Sequence, residues 1–249
     1  MTARLHETRW DVVDGTRIRS LVAGARRPGV PDVVLVPGLG APGYLLDAVA
    51  GIGSWTRCVV LDLPGFDHDG PDSCEPTVDG VAGAVAGWLR AAEAPVVLGG
   101  HSTGAQAALR AAVAAPDRVA ALVLAGTTFD PPARRATTLA GRVARLLVSE
   151  SPGELLAVGP AYARAGRHLL TLLRSGMADR PEDAIATIGC PVLLLRGRAD
   201  PLCPAGWMAE LADRARDAVR MTLPGGHNFV YGHAGATALT IARFVDRIG

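Results

Sequence analysis

Residues 95–104 read Pro-Val-Val-Leu-Gly-Gly-His-Ser-Thr-Gly, and they predict a strand, a sharp turn and a helix in close succession. The apolar run 96–98 is typical of a buried strand, and the alanine-rich stretch 105–115 is typical of a helix. Between them lies the pattern G-x-S-x-G, whose glycines make room for a serine on a strained connection with its hydroxyl exposed. Ser102 is therefore the first candidate for a catalytic residue.

Composition restricts the class of protein. The 249 residues, 49% of them hydrophobic, suffice for one domain with a sizeable core and a small insertion. No apolar stretch reaches the roughly 18 residues that span a bilayer, and the N-terminal residues show no apolar signal segment. The 4 cysteines lie far apart without the spacing of a zinc site or a disulfide framework. We therefore expect reduced thiols and a cytoplasmic protein.

Charge excludes several chemistries. A formal net charge of +1 provides no long-range field for nucleic acid or a membrane, so we expect neither as a partner. All 25 basic residues are arginine, because the sequence contains no lysine. This excludes the Schiff-base lysine of pyridoxal phosphate enzymes and the lysine of P-loop proteins. We expect no metal site and no organic cofactor.

Strand and helix signals alternate along most of the chain. Short apolar strands between helices predict a mostly parallel sheet with helices on both faces, and a hairpin around Asp14-Gly15 adds an antiparallel edge. The eight predicted strands are residues 10–13, 18–22, 33–36, 58–61, 96–98, 119–124, 192–195 and 219–223. The alternation stops where apolar residues recur at helical spacing. We predict an α/β core of residues 1–130 and 190–249, with a small helical lid inserted at 131–189.

Two later loops supply candidates for a base and an acid. A serine hydroxyl at neutral pH needs a general base, and the base needs an orienting carboxylate. Asp200 follows the predicted strand 192–195, and His227 follows the strand 219–223. Because parallel strands end at one edge of the sheet, where open α/β sheets place ligands, these two residues are predicted to meet Ser102 there.

Together these motifs resemble the α/β-hydrolase superfamily over nearly the whole chain. The shared features are the glycine loop after Val36, the segment 62–66 (Asp-Leu-Pro-Gly-Phe), the G-x-S-x-G turn, a helical lid between the sixth and seventh strands, and the two later loops. The resemblance implies the α/β-hydrolase fold. It also implies that Ser102 is the nucleophile, that His227 is the general base and acid, and that Asp200 is the orienting acid.

The resemblance further implies an oxyanion hole formed by the backbone N–H groups of Leu39 and Thr103. Thr103 opens the predicted helix, so its N–H and the helix dipole favour a developing negative charge. Pro37 stands where the family usually has a histidine, and this loop must therefore be held without that side chain's hydrogen bonds. Further substrate contacts are predicted at Gly38, Gly40, His68 and Phe229.

These residues predict a serine hydrolase that cleaves an ester, thioester or related acyl or carbon–carbon bond of a small, mostly apolar substrate through an acyl-enzyme. The same resemblance allows a non-hydrolytic enzyme instead, such as a cofactor-free perhydrolase of the haloperoxidase type, a lyase or a natural-product cyclase. A catalytically silent binding module is the third interpretation.

Other motifs offer alternatives. Residues 38–43 match G-x-G-x-x-G and are followed by Asp62 at the end of the next strand, as in a dinucleotide-binding unit. The preceding hairpin and the triad loops argue against that interpretation. Asp130 is an alternative acid and His233 an alternative base, while His101 is expected to pack under the turn.

The predicted lid carries a basic stripe. Arg135, Arg142 and Arg145 share one face of the predicted helix 134–148, and residues 131–149 contain four arginines and no acid. The stripe suggests docking of an anionic carrier, such as an acyl carrier protein or a coenzyme A thioester. The simpler interpretation is the solvated face of an amphipathic helix.

Overall fold

The computed structural model describes residues 6–248. Within them one sheet has the strand order β1-β2-β4-β3-β5-β6-β7-β8. Its strands are β1 Glu7–Val13, β2 Thr16–Ala23, β3 Val33–Val36, β4 Cys58–Asp62, β5 Val96–His101, β6 Val119–Ala125, β7 Val192–Gly197 and β8 Ala218–Leu223. The pairs β1–β2 and β2–β4 are antiparallel, and the remaining pairs are parallel. The predicted mostly parallel, eight-stranded sheet with an antiparallel edge is confirmed.

The described helices follow the strands in the predicted alternation. They are α1 Leu46–Gly53, α2 Val78–Ala91, α3 Thr103–Ala114, α4 Ala136–Ser149, α5 Pro152–Ala165, α6 Arg167–Ala178, α7 Pro181–Ala184, α8 Ala205–Arg214, α9 Phe229–Gly232 and α10 Ala234–Ile248. Short 3₁₀ turns occupy Gly38–Gly40, Pro42–Leu45, Pro116–Arg118, Pro131–Arg134 and Ile185–Thr187. A search of the residues described here finds no helix with both the length and the apolarity to cross a membrane.

The strand order places Ser102 where the crossovers change from running toward one edge of the sheet to running toward the other. The crossover from β3 to β4 runs toward one edge, whereas those from β5 to β6 and from β7 to β8 run toward the other. Because crossovers between parallel strands are right-handed, α1 covers one face and α3 and α8 cover the opposite face. The ends of β3 and β5 therefore diverge into loops that leave a crevice, which is the usual ligand position in open α/β sheets.

The strand β5 extends three residues beyond its predicted end. Gly99 and Gly100 remain in the ladder with β3 and β6, although glycine normally weakens a strand. A Cβ atom at Gly99 would lie 2.7 Å from Cδ2 of Leu35. Gly99 is therefore required by close packing against β3, and Gly100 by the backbone of Gly104 in α3, which begins immediately after Ser102.

Helices alone fill the long connection between β6 and β7 in the described residues. We use the name lid for residues 131–189, as predicted from the sequence. In it, α4 begins at Ala136, and α5 and α6 lie over the core, where α5 contacts the turn Pro42–Leu45 and α6 contacts α2 and α3. The lid helices therefore approach the loops at the carboxyl ends of β3 and β5.

Substitution of Gly104 tests whether the turn requires glycine at this position. A Cβ atom there would lie 2.5 Å from the carbonyl oxygen of Pro37 and inside contact distance of the Val36 carbonyl. We expect Gly104→Ala to lower the free energy of unfolding by at least about 1–3 kcal/mol, since the obstacle is backbone. Urea denaturation followed by circular dichroism measures this.

Gly83, exposed within α2, is the matched control because nothing lies within 4 Å of a Cβ atom there. Gly83→Ala should raise the free energy of unfolding by about 0.5–1 kcal/mol. Equal effects of the two substitutions would contradict the packing argument.

Candidate active site

Ser102 occupies a strained turn between β5 and α3. Its backbone has φ 58° and ψ −126°, a conformation that costs an L-residue free energy and recurs at functional sites. The Ser102 N–H donates to the carbonyl oxygen of Ala125 on β6 at 2.9 Å. The serine, 8% exposed, lines a cavity beneath the lid. The turn therefore holds one short side chain at a fixed position on the cavity wall.

The structure brings His227 and Asp200 together as the sequence predicted. Nδ1 of His227 and Oδ2 of Asp200 are 2.9 Å apart, and both side chains are buried. The other oxygen of Asp200 accepts the N–H groups of Leu202 at 2.8 Å and Cys203 at 3.0 Å. With Nδ1–H donating to the carboxylate, Nε2 of His227 is left as the accepting nitrogen. It makes no hydrogen bond to the described residues, and His227 lines the same cavity as Ser102.

The electrostatics of this pair favour a charged imidazole. Burial lowers the pKa of His227, but the charge and hydrogen bond of Asp200 and the charge of Glu150 outweigh it, so the pKa is raised. Burial acts to raise the pKa of Asp200, yet His227 and the two backbone N–H donors bring it below its ordinary value. Asp200 is therefore an anion that stabilises a proton on the neighbouring ring.

Glu150 is a residue of the site that sequence reasoning missed. It lies just after α4, is 8% exposed and lines the cavity, and its Oε1 accepts the N–H of Asn228 at 3.2 Å. Its negative charge acts on His227. The sequence offers one signal, since Glu150 is the first acidic residue after the acid-free stretch 131–149. That signal does not reveal a contact with a residue 78 positions away.

The two predicted oxyanion residues lie next to each other. Thr103 is the first residue of α3, so its N–H has no acceptor within the helix. Leu39 has left-handed backbone angles, φ 47° and ψ 29°, and its N–H donates to Oγ1 of Thr103 at 2.8 Å. The amide of Leu39 thus points toward the start of α3 and is engaged by the threonine hydroxyl in this structure.

The cavity beside Ser102 is mostly apolar. It has a volume of about 390 Å³ and lies between the lid and the carboxyl ends of the strands. Its apolar lining consists of Leu39, Phe129, Leu139, Val143, Leu146, Leu147, Leu155, Val158, Leu173 and Leu202. Polar groups cluster around Ser102, with Glu150 and Tyr162 contributed by the lid. Such a cavity fits an apolar chain whose reactive group reaches the polar end.

The four predicted substrate contacts divide between the cavity and the core. Gly38 lines the cavity. The other three lie outside its described lining: Gly40 packs against Phe66, His68 contacts the ring of Trp10, and Phe229 is buried beside His101. The position of His68 in the loop after Phe66 did not reveal that its ring lies against Trp10 on β1.

Asp130, the alternative acid, is used elsewhere. Both of its oxygens accept from Arg142, at 2.6 and 2.9 Å, and one also accepts the N–H of Ala133. His233, the alternative base, lies between α9 and α10 and packs against Gly225. Asp130 therefore anchors α4 to the end of the sheet, and Arg142 is drawn out of the predicted basic stripe.

The glycine loop and Asp62 also serve packing. A Cβ atom at Gly38 would lie 2.8 Å from Cβ of Ser102, and Gly40 has φ +71° against Phe66. Asp62 is fully buried and accepts from Arg19 at 2.9 Å. The loop that matched a dinucleotide-binding motif thus brings its backbone against the turn, and the carboxylate is held by an arginine.

Comparison with known proteins identifies the family of this chain. The sequence model described as the alpha/beta hydrolase family matches residues 33–238. A pimeloyl-[acyl-carrier protein] methyl ester esterase of Xanthomonas campestris pv. campestris (strain B100) is 30% identical over 216 residues, which cover 75% of this chain and 83% of the relative.

Solved structures show the same fold at lower identity. The enol-lactonase from Burkholderia xenovorans LB400 superposes with a TM-score of 0.76 at 20% identity, covering 96% of this chain and 100% of that one. A thermophilic esterase from Thermogutta terrifontis gives a TM-score of 0.76 at 21% identity, covering 97% and 99%. The family match over most of the chain, the 30% identical relative and the shared fold show that this protein is an enzyme of the alpha/beta hydrolase family.

Proposed function

We propose that this protein is a serine hydrolase that cleaves an ester or thioester of a mostly apolar acyl group through an acyl-enzyme. The observation that carries the proposal is the buried His227–Asp200 pair, 2.9 Å apart, in which His227 lines the same mostly apolar cavity as Ser102 on its strained turn. A base with a fixed tautomer and a nucleophile beside it constitute the requirements for acyl transfer.

In the proposed reaction, Ser102 Oγ attacks the carbonyl carbon while Nε2 of His227 takes the hydroxyl proton. The negative charge of Asp200 stabilises the imidazolium that forms, and its hydrogen bond keeps Nδ1 protonated. His227 then gives the proton to the leaving alcohol or thiol. Water then attacks the acyl-enzyme while His227 takes a proton from it. His227 returns that proton to Ser102 Oγ as the acid is released.

The carbonyl oxygen becomes negative in the tetrahedral intermediate and needs donors. We assign the N–H of Thr103, supported by its place at the first position of α3, and the N–H of Leu39, which faces the same residue. Since Leu39 donates to Thr103 Oγ1 in this structure, that amide exchanges or shares its acceptor when the oxyanion forms. A preorganised oxyanion donor is worth about 10²–10³-fold in rate.

The lining of the cavity supports an aliphatic acyl group as the substrate. Leucine and valine side chains of α4 and α5 form the wall away from Ser102, and they exclude water from a bound chain. The relative from Xanthomonas campestris is a methyl ester esterase for an acyl group carried on a protein. A carrier-bound acyl ester or thioester is accordingly the substrate we propose.

Exposed arginines beside the lid support an anionic carrier. A second cavity of about 490 Å³ is lined by Arg142, Arg145, Arg196 and Arg198 and adjoins the Asp200 loop. Arg142 is committed to Asp130, and Arg196 is buried with its Nε donating to the carbonyl of Cys203. Arg145 and Arg198 are exposed, as is Arg135. We assign the docking role to these three arginines rather than to the stripe predicted from the sequence.

Removal of the Ser102 hydroxyl tests the proposed nucleophile. Ser102→Ala should lower turnover of p-nitrophenyl butyrate by about four to six orders of magnitude, because the nucleophile and its base act as a unit. It should also abolish the mass increase caused by a fluorophosphonate probe. Ser54→Ala, an exposed serine bonded to Gly51, is the control and should keep both. Wild-type turnover in Ser102→Ala would overturn the assignment.

The pH dependence of kcat/KM tests the role of His227. The base must be neutral to accept a proton, so activity rises with pH, and the raised pKa of His227 places the midpoint above its ordinary 6.5. Glu150→Gln removes a negative charge that stabilises the imidazolium, so the midpoint should move to lower pH. Gln can still accept the N–H of Asn228.

Glu210→Gln, which alters an exposed carboxylate paired with Arg214, is the matched control for that profile. It should leave the midpoint unchanged. A midpoint in Glu150→Gln that stays in place or moves to higher pH would contradict the electrostatic assignment.

Charge reversal tests the carrier surface. The double variant Arg145→Glu/Arg198→Glu should raise KM for an acyl group on an acyl carrier protein by about tenfold, since each exposed charge contributes up to about 1 kcal/mol. Turnover of p-nitrophenyl butyrate should not change. Arg243→Glu, exposed on α10, controls for net charge. Equal KM values in the double variant and the wild type would refute docking at this surface.

A further inference from the structure

The loop that carries Leu39 is joined to the His227 loop by a chain of buried hydrogen bonds. Gly38 N–H donates to the hydroxyl oxygen of Tyr44 at 2.7 Å. The same hydroxyl is 2.8 Å from Nδ1 of His101, and Nε2 of His101 is 2.9 Å from the carbonyl oxygen of His227. Three segments, the loop after β3, the end of β5 and the loop after β8, thus meet through two side chains.

Each proton in this chain has one consistent place. The carbonyl oxygen of His227 accepts, so Nε2 of His101 carries hydrogen and donates. In a neutral ring Nδ1 then holds a lone pair, which accepts the O–H of Tyr44, and the oxygen of Tyr44 is free to accept the N–H of Gly38. A doubly protonated His101 would donate to Tyr44 instead and leave the tyrosine hydrogen without that acceptor.

The environment keeps His101 neutral. Burial, followed by the nearby His227, lowers the pKa of His101 to about 3. Burial is also the main cause of the raised pKa of Tyr44, with Tyr162 adding to it. Neither group changes charge between about pH 5 and 9, so the direction of the hydrogen bonds is fixed over the working range of a histidine-based hydrolase.

The neighbourhood of Gly38 explains why such a chain is needed. The preceding residue is Pro37, which has neither an N–H nor a polar side chain to fix the loop. Leu39 holds left-handed angles that an L-residue adopts only under restraint. Tyr44 is 2% exposed, and its ring packs edge-on against His101 with centroids 5.3 Å apart. A rigid phenol from the next turn therefore supplies the restraint that Pro37 cannot.

We propose that Tyr44 is a positioning residue that, through His101, fixes the amide of Leu39 relative to the catalytic histidine. The inference rests on the proposed hydrolase function and extends it, since it names what holds the oxyanion donors. Tyr44 lines the same cavity as Ser102, but its hydroxyl is already bonded to Gly38 and His101. It holds the N–H of Gly38 and so fixes the Pro37–Gly38 peptide, and through it the orientation of the following Leu39 amide. Its effect is therefore specific to the state in which the carbonyl oxygen carries charge.

Tyr44→Phe keeps the ring and removes the link. We expect kcat for p-nitrophenyl butyrate to fall about 10- to 100-fold, somewhat less than loss of a whole oxyanion donor, with KM within about twofold of the wild type. Rates are referred to active sites counted by fluorophosphonate labelling, so that any unfolded fraction drops out. Tyr231→Phe, a half-buried tyrosine on α9, is the control and should keep kcat.

Two further measurements separate positioning from a general loss of structure. A trifluoromethyl ketone, which forms a hemiketal oxyanion with the serine, should bind Tyr44→Phe weaker by the same factor as the fall in kcat/KM. The midpoint of the acid limb of kcat/KM should not move, because the His227–Asp200 contact is untouched. A lower melting temperature with unchanged kcat per labelled site would overturn the positioning role.

The outcomes distinguish this inference from the function on which it rests. If the wild-type protein neither hydrolyses esters nor is labelled at Ser102, the proposed function fails. If the wild type does both, and Tyr44→Phe retains kcat and inhibitor affinity within twofold, the hydrolase stands and the positioning role of Tyr44 is refuted.

Discussion

The site depends on the contact between two backbone segments, the turn at Ser102 and the loop after β3. Glycines make it possible, since a Cβ atom at Gly38 would lie 2.8 Å from Cβ of Ser102 and one at Gly104 would lie 2.5 Å from the Pro37 carbonyl oxygen. The two segments follow β3 and β5, which are neighbouring parallel strands, so both lie at the same edge of the sheet. The contact sets the amides of the loop against the start of α3. The position of Ser102 and the shape of the crevice follow from it.

Ion pairs at the base of the lid separate structural arginines from exposed ones. Arg142 binds both oxygens of Asp130, and Arg134 binds both oxygens of Glu182. The first contact holds α4 against the residue that follows β6, and the second joins the start of the lid to α7 near its end. A bidentate pair with a half-buried arginine holds an orientation more firmly than a surface pair does. Arg135, Arg145 and Arg198 are exposed instead, where they can meet solvent or a partner.

Sequence periodicity predicted the eight strands and their order of appearance because each strand is a local apolar run bounded by polar or glycine residues. It also predicted that Asp200 and His227 would meet, since the ends of parallel strands share an edge. It did not predict the partner of Arg142, the contact of Glu150 with Asn228, or the packing of His68 on β1. These contacts join residues 12 and 78 positions apart or depend on loop direction, which no local pattern encodes. The predicted strand β5 ended too early because the contacts that require its glycines, Leu35 for Gly99 and Gly104 for Gly100, lie on other elements.

Two histidines with ring centroids 4.7 Å apart illustrate how environment divides the work within the site. Both are buried, and burial alone lowers the pKa of each ring. His227 faces the carboxylate of Asp200, which together with Glu150 outweighs burial, whereas His101 faces a neutral hydroxyl and a carbonyl oxygen and stays neutral. The pKa of His227 is therefore raised and that of His101 is lowered. This difference is the physical basis for proposing that His227 transfers the proton and that His101 holds the loop. A carboxylate beside His101 would erase that difference, and the site would then contain two competing bases and a loosened loop at Gly38.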